Sequence, residues 1–333
     1  MRHSPLTPRK TIIVVATLLA LLVAAGFTGL SLGSVAVPLK SIAGALTGDA
    51  SISAPDRTII LDIRLPRLLL AIIVGAGLSV AGLVFQALLR NPLAEPYILG
   101  ISSGGTLGAV LAMTFAGSAV AFSAPLASFA GSAAVMALVY AVAHRRGKLD
   151  TYTLLLAGVM VGAFFNALLL LLIAIVNQEL RNAFLWLMGN LSGASVSSVA
   201  LVGPAVLVAS LLLYMQAKGL NLIATGEEAA MQLGVNVGIV KKSAYILASF
   251  ITGMVVSVSG VVGFVGLIIP HICRMVLGPD HRLLFPASFL AGAIFMVSAD
   301  TIARIALAPA EIPVGAVTAA IGAPLFIYLL RKV

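Results

Sequence analysis

Charge is scarce in this chain: 9% of its 333 residues are Asp, Glu, Lys or Arg, while 61% are hydrophobic. Soluble globular domains are about one-quarter charged, and a mean hydropathy of +1.14 leaves more apolar surface than a soluble core can hide. Cysteine is nearly absent. The single Cys273 excludes an internal disulfide and a thiolate metal cluster. No G-x-x-x-x-G-K-[ST], G-x-S-x-G or H-E-x-x-H occurs, so the chain carries no nucleotide-phosphate loop, hydrolase elbow or zinc-protease helix. His271 and Cys273 stand two apart, on different helix faces with no other ligand near. They read as packing residues, and no metal site or cofactor is expected in the chain.

What the chain has instead is long apolar runs and 32 glycines. Small residues let helix backbones approach closely in lipid. Apolar runs fall at about 11–31, 66–88, 97–116, 119–142, 152–176, 196–215, 241–259, 261–277, 283–306 and 313–330. Most approach the ~20 residues that a bilayer core requires. The expected fold is all-α and polytopic, with about ten transmembrane helices in a single domain over residues 1–333. The run at 11–31 is longer than a signal-peptide core and lacks a small-x-small end, so it reads as a retained first span. The eighth run contains Pro270 and is expected to break or kink there. Trp186, the single tryptophan, reads as an interfacial anchor in an extracellular segment, 184–193.

Lys and Arg orient the spans. With the N-terminus in the cytoplasm, the inner loops and ends hold Arg2, Arg9, Lys10, Arg90, Arg145, Arg146, Lys148, Lys218, Lys241, Lys242, Arg274, Arg282, Arg331 and Lys332, or 14 of 20. Lys40, Arg57, Arg64, Arg67, Arg181 and Arg304 lie outside. This bias places both termini in the cytoplasm. Arg64, Arg67 and Arg304 break the trend. They read either as snorkelling stems or as outward guanidinium groups able to receive a partner's carboxylates. Asp300, one turn before Arg304, also suits an internal pair.

Two loops stand out. A cytoplasmic segment at about 217–240 holds T-G-E-E-A-A-M-Q-L-G, where Thr225 and Glu228 have capping-box spacing and Gly234 offers a stop. A helix of about two turns over 225–233 is far too short to span a bilayer. It reads as a connector or as a docking element. R-N-P-L-A-E-P at 90–96 is a stiff, helix-breaking turn. It leads into G-I-S-S-G-G at 100–105, which either lines a pathway or packs helices closely.

Many ordered motifs then coincide: R-L-P-R at 64–67, G-A-G-L-S-V-A-G-L-V-F-Q-A-L-L-R-N-P-L-A-E-P at 75–96, L-G-I-S-S-G at 99–104, E-E-A-A-M-Q-L-G at 227–234, G-F-V-G-L-I-I-P-H at 263–271, D-H-R at 280–282, A-D-T-I-A-R at 299–304 and E-I-P-V-G at 311–315. The chain resembles the FecCD-type permeases of ABC importers for iron-siderophores, haem and cobalamin, over nearly its whole length. The resemblance implies a type II importer permease in the bacterial inner membrane. It implies a second permease subunit (an identical copy, giving a homodimer, or a distinct one), two cytoplasmic ATPase subunits that bind the ATP and Mg, and an extracytoplasmic binding protein, with no nucleic-acid partner. Thr225, Glu227, Glu228, Ala229, Ala230 and Gly234 match the ATPase-coupling motif. Arg64, Arg67 and Arg304 match the arginines that meet the binding protein. Asp150, Thr151, Tyr152 and Thr153, with Gly100, Ser102, Ser103 and Gly104 at the start of span three, match the gate. The chain is then not itself an enzyme. The alternative, an ion-coupled secondary transporter, calls for ionisable groups near mid-membrane. Glu95, Asp150, Glu179, Asp300 and Glu311 all fall at or near span ends, which disfavours it.

Overall fold

The computed structural model describes residues 7–49, 51–115, 123–145, 148–176 and 186–331. Arg2, Arg146, Glu179, Arg181, Lys332 and the first residues of the 184–193 segment lie outside that set. The helices are α1 (Pro8–Ser31), α2 (Leu39–Thr47), α3 (Ala54–Thr58), α4 (Leu65–Leu88), α5 (Ile101–Phe115), α6 (Ser123–Ala143), α7 (Thr151–Val176), α8 (Val196–Met215), α9 (Ala217–Thr225), α10 (Glu227–Gln232), α11 (Val237–Ser259), α12 (Val265–Leu277), α13 (His281–Ile305) and α14 (Val314–Leu330). A two-residue hairpin, His144–Arg145 (β1) against Lys148–Leu149 (β2), precedes α7. Among the described residues, 7 helices are long and apolar enough to cross a membrane, and α5, α12 and α14 are shorter apolar helices. Each of the ten apolar runs thus carries a helix. The second is longer than its run: α3 continues through a wider turn over Ile59–Arg64 into α4, giving one stretch over Ala54–Leu88.

α4 is the centre of the body. It packs against α13, α11, α12 and α8, and nearly every side chain from Gly75 to Leu88 is buried. Glycine makes the approach possible at two places. A Cβ on Gly75 would lie 2.2 Å from the Gly292 carbonyl oxygen of α13, and one on Gly82 would lie 1.9 Å from the Gly266 oxygen of α12. Helices associating in lipid gain from this backbone-to-backbone packing.

Of the break or kink expected at Pro270, the break does not occur. α12 runs through Pro270 without interruption. The proline has no N–H to give the Gly266 carbonyl, and the buried Gln86 amide of α4 takes over. Its Nε2 donates to Gly266 O at 3.3 Å and to Leu267 O at 3.1 Å. Arg274 donates to Gln86 Oε1 at 3.0 Å. The actual break is upstream. Gly260 (φ +65°) closes α11, and Phe264, at φ +69°, precedes α12.

That break is held from an unexpected quarter. Phe264 N donates to Glu95 Oε1 at 2.6 Å, and Val262 N donates to the Tyr97 hydroxyl at 2.9 Å. Span parity assigns the 90–96 turn and the 260–264 break to opposite sides of the membrane. They meet instead inside the helical body, at the entries to α5 and α12. Glu95 is therefore a junction residue and not a span-end carboxylate. Trp186, half-buried, lies against the same break: its carbonyl would stand 2.2 Å from a Cβ on Gly260.

Gly82→Val forces a branched side chain onto the Gly266 carbonyl, and overpacking of this kind costs ~1–3 kcal/mol. Gln86→Leu leaves that carbonyl and the Arg274 guanidinium without their partner. Both variants are expected to lower the thermal unfolding midpoint in detergent. Gly193→Ala, at a position with nothing within 4 Å of an added Cβ, is expected to leave it unchanged.

Candidate functional sites at the two ends of the helical body

At the end where α4 finishes and α13 begins, two short helices cross the gap between α8 and α11. The expected capping box is not formed. Thr225 is the last residue of α9, and its hydroxyl donates back to Leu222 O at 2.8 Å. Gly226, at φ +146° and ψ +138°, occupies the cap position before α10 and supplies no side-chain bond. The helix is thus Glu227–Gln232, shorter than 225–233. The stop is where the sequence places it. Gly234 adopts φ +84°, with Gly234 N bonded to Met231 O and Val235 N to Ala230 O, both at 3.0 Å. These are the two bonds of a Schellman motif.

Beneath α10 lies a satellite core of Ile223, Ala230 and Val237. Its other face is open: Glu228 and Ala229 are exposed, as are Met231 (50%) and Leu233 (67%). Large apolar side chains at this exposure, in a segment outside the apolar runs, form a patch of the kind that partners cover. α9 is pinned in turn. Asn221 Nδ2 donates to Asp280 Oδ1 at 2.8 Å, and His281 N donates to Asn221 Oδ1 at 2.8 Å. The Arg282 guanidinium, with help from Asn221 and against partial burial, holds the Asp280 carboxyl down to about 2. The carboxylate acceptor is therefore present at any physiological pH.

Glu227 does not face outward with Glu228. Its carboxylate turns back to Lys241 Nζ at 3.0 Å, with an Arg90 nitrogen at 3.9 Å. Arg90 also donates to Ile223 O at 3.1 Å. Lys241 in turn donates to Thr151 Oγ1 at 2.8 Å. Of the four residues expected at a gate, Asp150 caps α7 by accepting from Thr153 N at 2.7 Å. Thr151 is tied to Lys241, and Tyr152 is 70% exposed. Gly100, Ser102, Ser103 and Gly104 are buried within the chain. A Cβ on Gly100 would meet Gly162 of α7 at 2.7 Å, and one on Gly104 would meet the Gly131 oxygen of α6 at 2.4 Å. Close helix packing is observed at both glycines. The sequence by itself does not mark Lys241, Arg90 or Asn221 as site residues. The visible signal for Lys241 was a cation that lies inside a helical pattern.

At the opposite ends of α4 and α13 the three exceptional arginines come together, each 7% exposed. Of the readings open for them, the internal pairing is the one seen within the chain. Arg64 donates to Leu30 O at 2.6 Å and Ser31 O at 3.0 Å, and also to Val35 O. Arg304 donates to Gly29 O at 2.7 Å and Leu32 O at 3.0 Å. Together they satisfy the carbonyls that the last turn of α1 leaves unpaired, where a cation is also favoured by the helix dipole. Asp300 accepts from Arg67 Nε at 2.9 Å and from Arg304 Nε at 3.1 Å, while Glu311 accepts from Arg67 at 2.8 Å. The i,i+4 pair of Asp300 and Arg304 is the one expected from their spacing.

A bundle of apolar helices, two of them entered through internal breaks, with a short exposed helix at one end and an ion cluster at the other, defines a polytopic membrane permease. The chain belongs to the FecCD transport family, which matches residues 20–332. It is 43% identical over 299 residues to the cobalamin import system permease protein BtuC of Halobacterium salinarum, covering 90% of this chain and 80% of that protein. It is 39% identical over 320 residues to the hemin transport system permease protein HmuU of Yersinia pestis, covering 95% and 94%. A solved structure described as an inward-facing conformation of a metal-chelate type ABC transporter superposes with a TM-score of 0.86 at 32% identity, over 96% of this chain and 99% of that one.

Removing one member of a buried ion cluster costs about 3–5 kcal/mol, because the charges left behind lose their partner. Asp300→Ala strips Arg304 of its carboxylate and Arg67 of one of two. It is expected to lower detergent stability strongly. Glu311→Gln, at a carboxylate with 38% of its side chain exposed, is expected to lower it much less. Thermal unfolding of the purified permease measures both.

Proposed function

We propose that this chain is the translocation subunit of an ATP-driven importer for an iron chelate, haem or a cobalamin delivered by an extracytoplasmic binding protein. The observation that carries the reading is the exposed face of α10: Glu228, Ala229, Met231 and Leu233, presented on a stopped six-residue helix with its own small core. This is the face offered to a cytoplasmic ATPase, which binds the ATP and Mg. The names of the relatives, a cobalamin permease and a hemin permease, support the substrate class. The positive-inside bias supports an inner-membrane location with both termini in the cytoplasm.

Two copies of the permease enclose the pathway, with the first turn of α7, Asp150 to Thr153, at its cytoplasmic gate. ATP closes the motor dimer, α10 moves with it, and the two subunits rock to give alternating access. On the outer face, Arg64, Arg67 and Arg304 hold the ends of α1, α4 and α13 as the platform for the binding protein. Three guanidinium groups against two carboxylates keep that platform positive, which favours capture of an acidic partner surface.

Two measurements test the reading. In proteoliposomes containing permease, ATPase and binding protein, uptake of cobalamin, haemin or a ferric hydroxamate siderophore is expected to require ATP hydrolysis. Uptake driven by a proton or sodium gradient without the ATPase would instead establish the secondary-transporter reading. Leu233→Asp and Met231→Asp are each expected to reduce co-purification of the ATPase by about tenfold or more, because a charge in an apolar anchor pocket costs in the range of interface hot spots. The permease itself should stay folded, since both side chains are solvent-exposed. Undiminished co-purification in both variants would remove α10 as the docking element.

A further inference from the structure

We propose that Lys241 is a positioning residue that links the α10 helix to the first turn of α7 and so carries the movement of one to the other. The proposal rests on the importer reading above, and it assigns a role to a side chain outside both the docking face and the gate. Lys241 belongs to α11 and is 4% exposed. A lysine so buried is found paired, and its ammonium group reaches Thr151 Oγ1 at 2.8 Å and Glu227 Oε1 at 3.0 Å. One partner opens α7. The other opens α10.

The packing makes this contact consequential. α10 packs on α9 and α11, whereas α7 packs on α5, α6 and the 96–99 turn. α11 lies between these two groups, and the Lys241 ammonium is a polar group at which they join. Glu227 is also flanked by Arg90, which follows α4 and donates to the end of α9. A displacement of α10 that draws Glu227 away leaves the buried ammonium with Thr151 alone. Holding its remaining partners in so apolar a setting favours moving α7 over stranding the charge. The inference concerns coupling, because the residue touches neither the exposed face of α10 nor Tyr152.

The test uses the assembled transporter in proteoliposomes. It measures uptake of cobalamin, haemin or ferric hydroxamate, whichever the wild type takes up, per ATP hydrolysed. Lys241→Met keeps the apolar stem and removes the ammonium. The ATPase is expected to remain bound and to hydrolyse ATP, while uptake per ATP falls on the order of tenfold, a size typical of coupling changes at residues between two sites. Thr151→Val is expected to lower the same ratio, and the double variant to be no worse than Lys241→Met alone, because both remove one link. Lys241→Arg, which can still reach both oxygens, is expected to restore most of the ratio. A merely structural lysine would lower assembly or stability and leave uptake per ATP unchanged. An unchanged ratio in Lys241→Met, or additive losses in the double variant, overturns the proposal. If Lys241→Met does not assemble, Thr151→Val decides alone: a wild-type ratio there overturns the link, and a reduced one supports it. A wild type without ATP-dependent uptake fails the importer reading itself, and is distinct from all of these.

Discussion

Backbone groups freed inside an apolar helical body have no water to bond, and at each break and helix end considered above a side chain from elsewhere in the chain takes that place. The rest of this structure depends on that constraint. Pro270 frees the Gly266 carbonyl, and Gln86 reaches across from α4 to take it. α1 ends among apolar neighbours, and Arg64 and Arg304 supply donors for its last carbonyls. The chain breaks between α11 and α12, and Glu95 and Tyr97 accept the amides exposed there. None of these partners lies next to its target in sequence. Each bond therefore locks two distant segments together, and α4 takes part at both of its ends.

The two ends are built differently, and this suits the proposed mechanism. The Arg64–Arg67–Arg304 end is buried and ion-paired, with carboxylates shared between helices. Such a cluster resists local opening. The α10 end rests on a three-residue satellite core and on polar ties, one of which, Glu227, is partly exposed. Elements that move are drawn from regions with few buried contacts and solvent-accessible bonds. α13 links the ends as a single 25-residue helix, from Asp280 and His281 beside α9 to Asp300 and Arg304 in the cluster.

Much of this was legible before the fold was known. The ten apolar runs each carry a helix, because span length is a matter of composition and rise per residue. The Asp300–Arg304 pair follows from spacing on one helix face, and the Gly234 stop follows from the freedom of glycine in the left-handed region. The errors have physical causes. The capping box at Thr225 and Glu228 assumed that Thr225 leaves the helix. Gly226 turns the chain instead, and Thr225 completes the helix before it. A proline frees the carbonyl four residues before it, and at Pro270 Gln86 satisfies that carbonyl from another helix, so the chain does not break there. The arginines stand out in the sequence as exceptions to the positive-inside bias, and only the fold supplies the α1 carbonyls and Glu311 as partners beside Asp300.

By itself the sequence determined the class of protein, the number of apolar helices, the family resemblance and the stop at Gly234. These depend on composition, on local spacing and on the backbone freedom of single residues. Only the tertiary structure decided which helices are broken from within, which way Glu227, Arg64, Arg67 and Arg304 face, and that Lys241 joins α10 to α7. Those outcomes depend on pairing buried polar groups across long stretches of chain. Such pairing is set by which helices touch, and no local pattern encodes it.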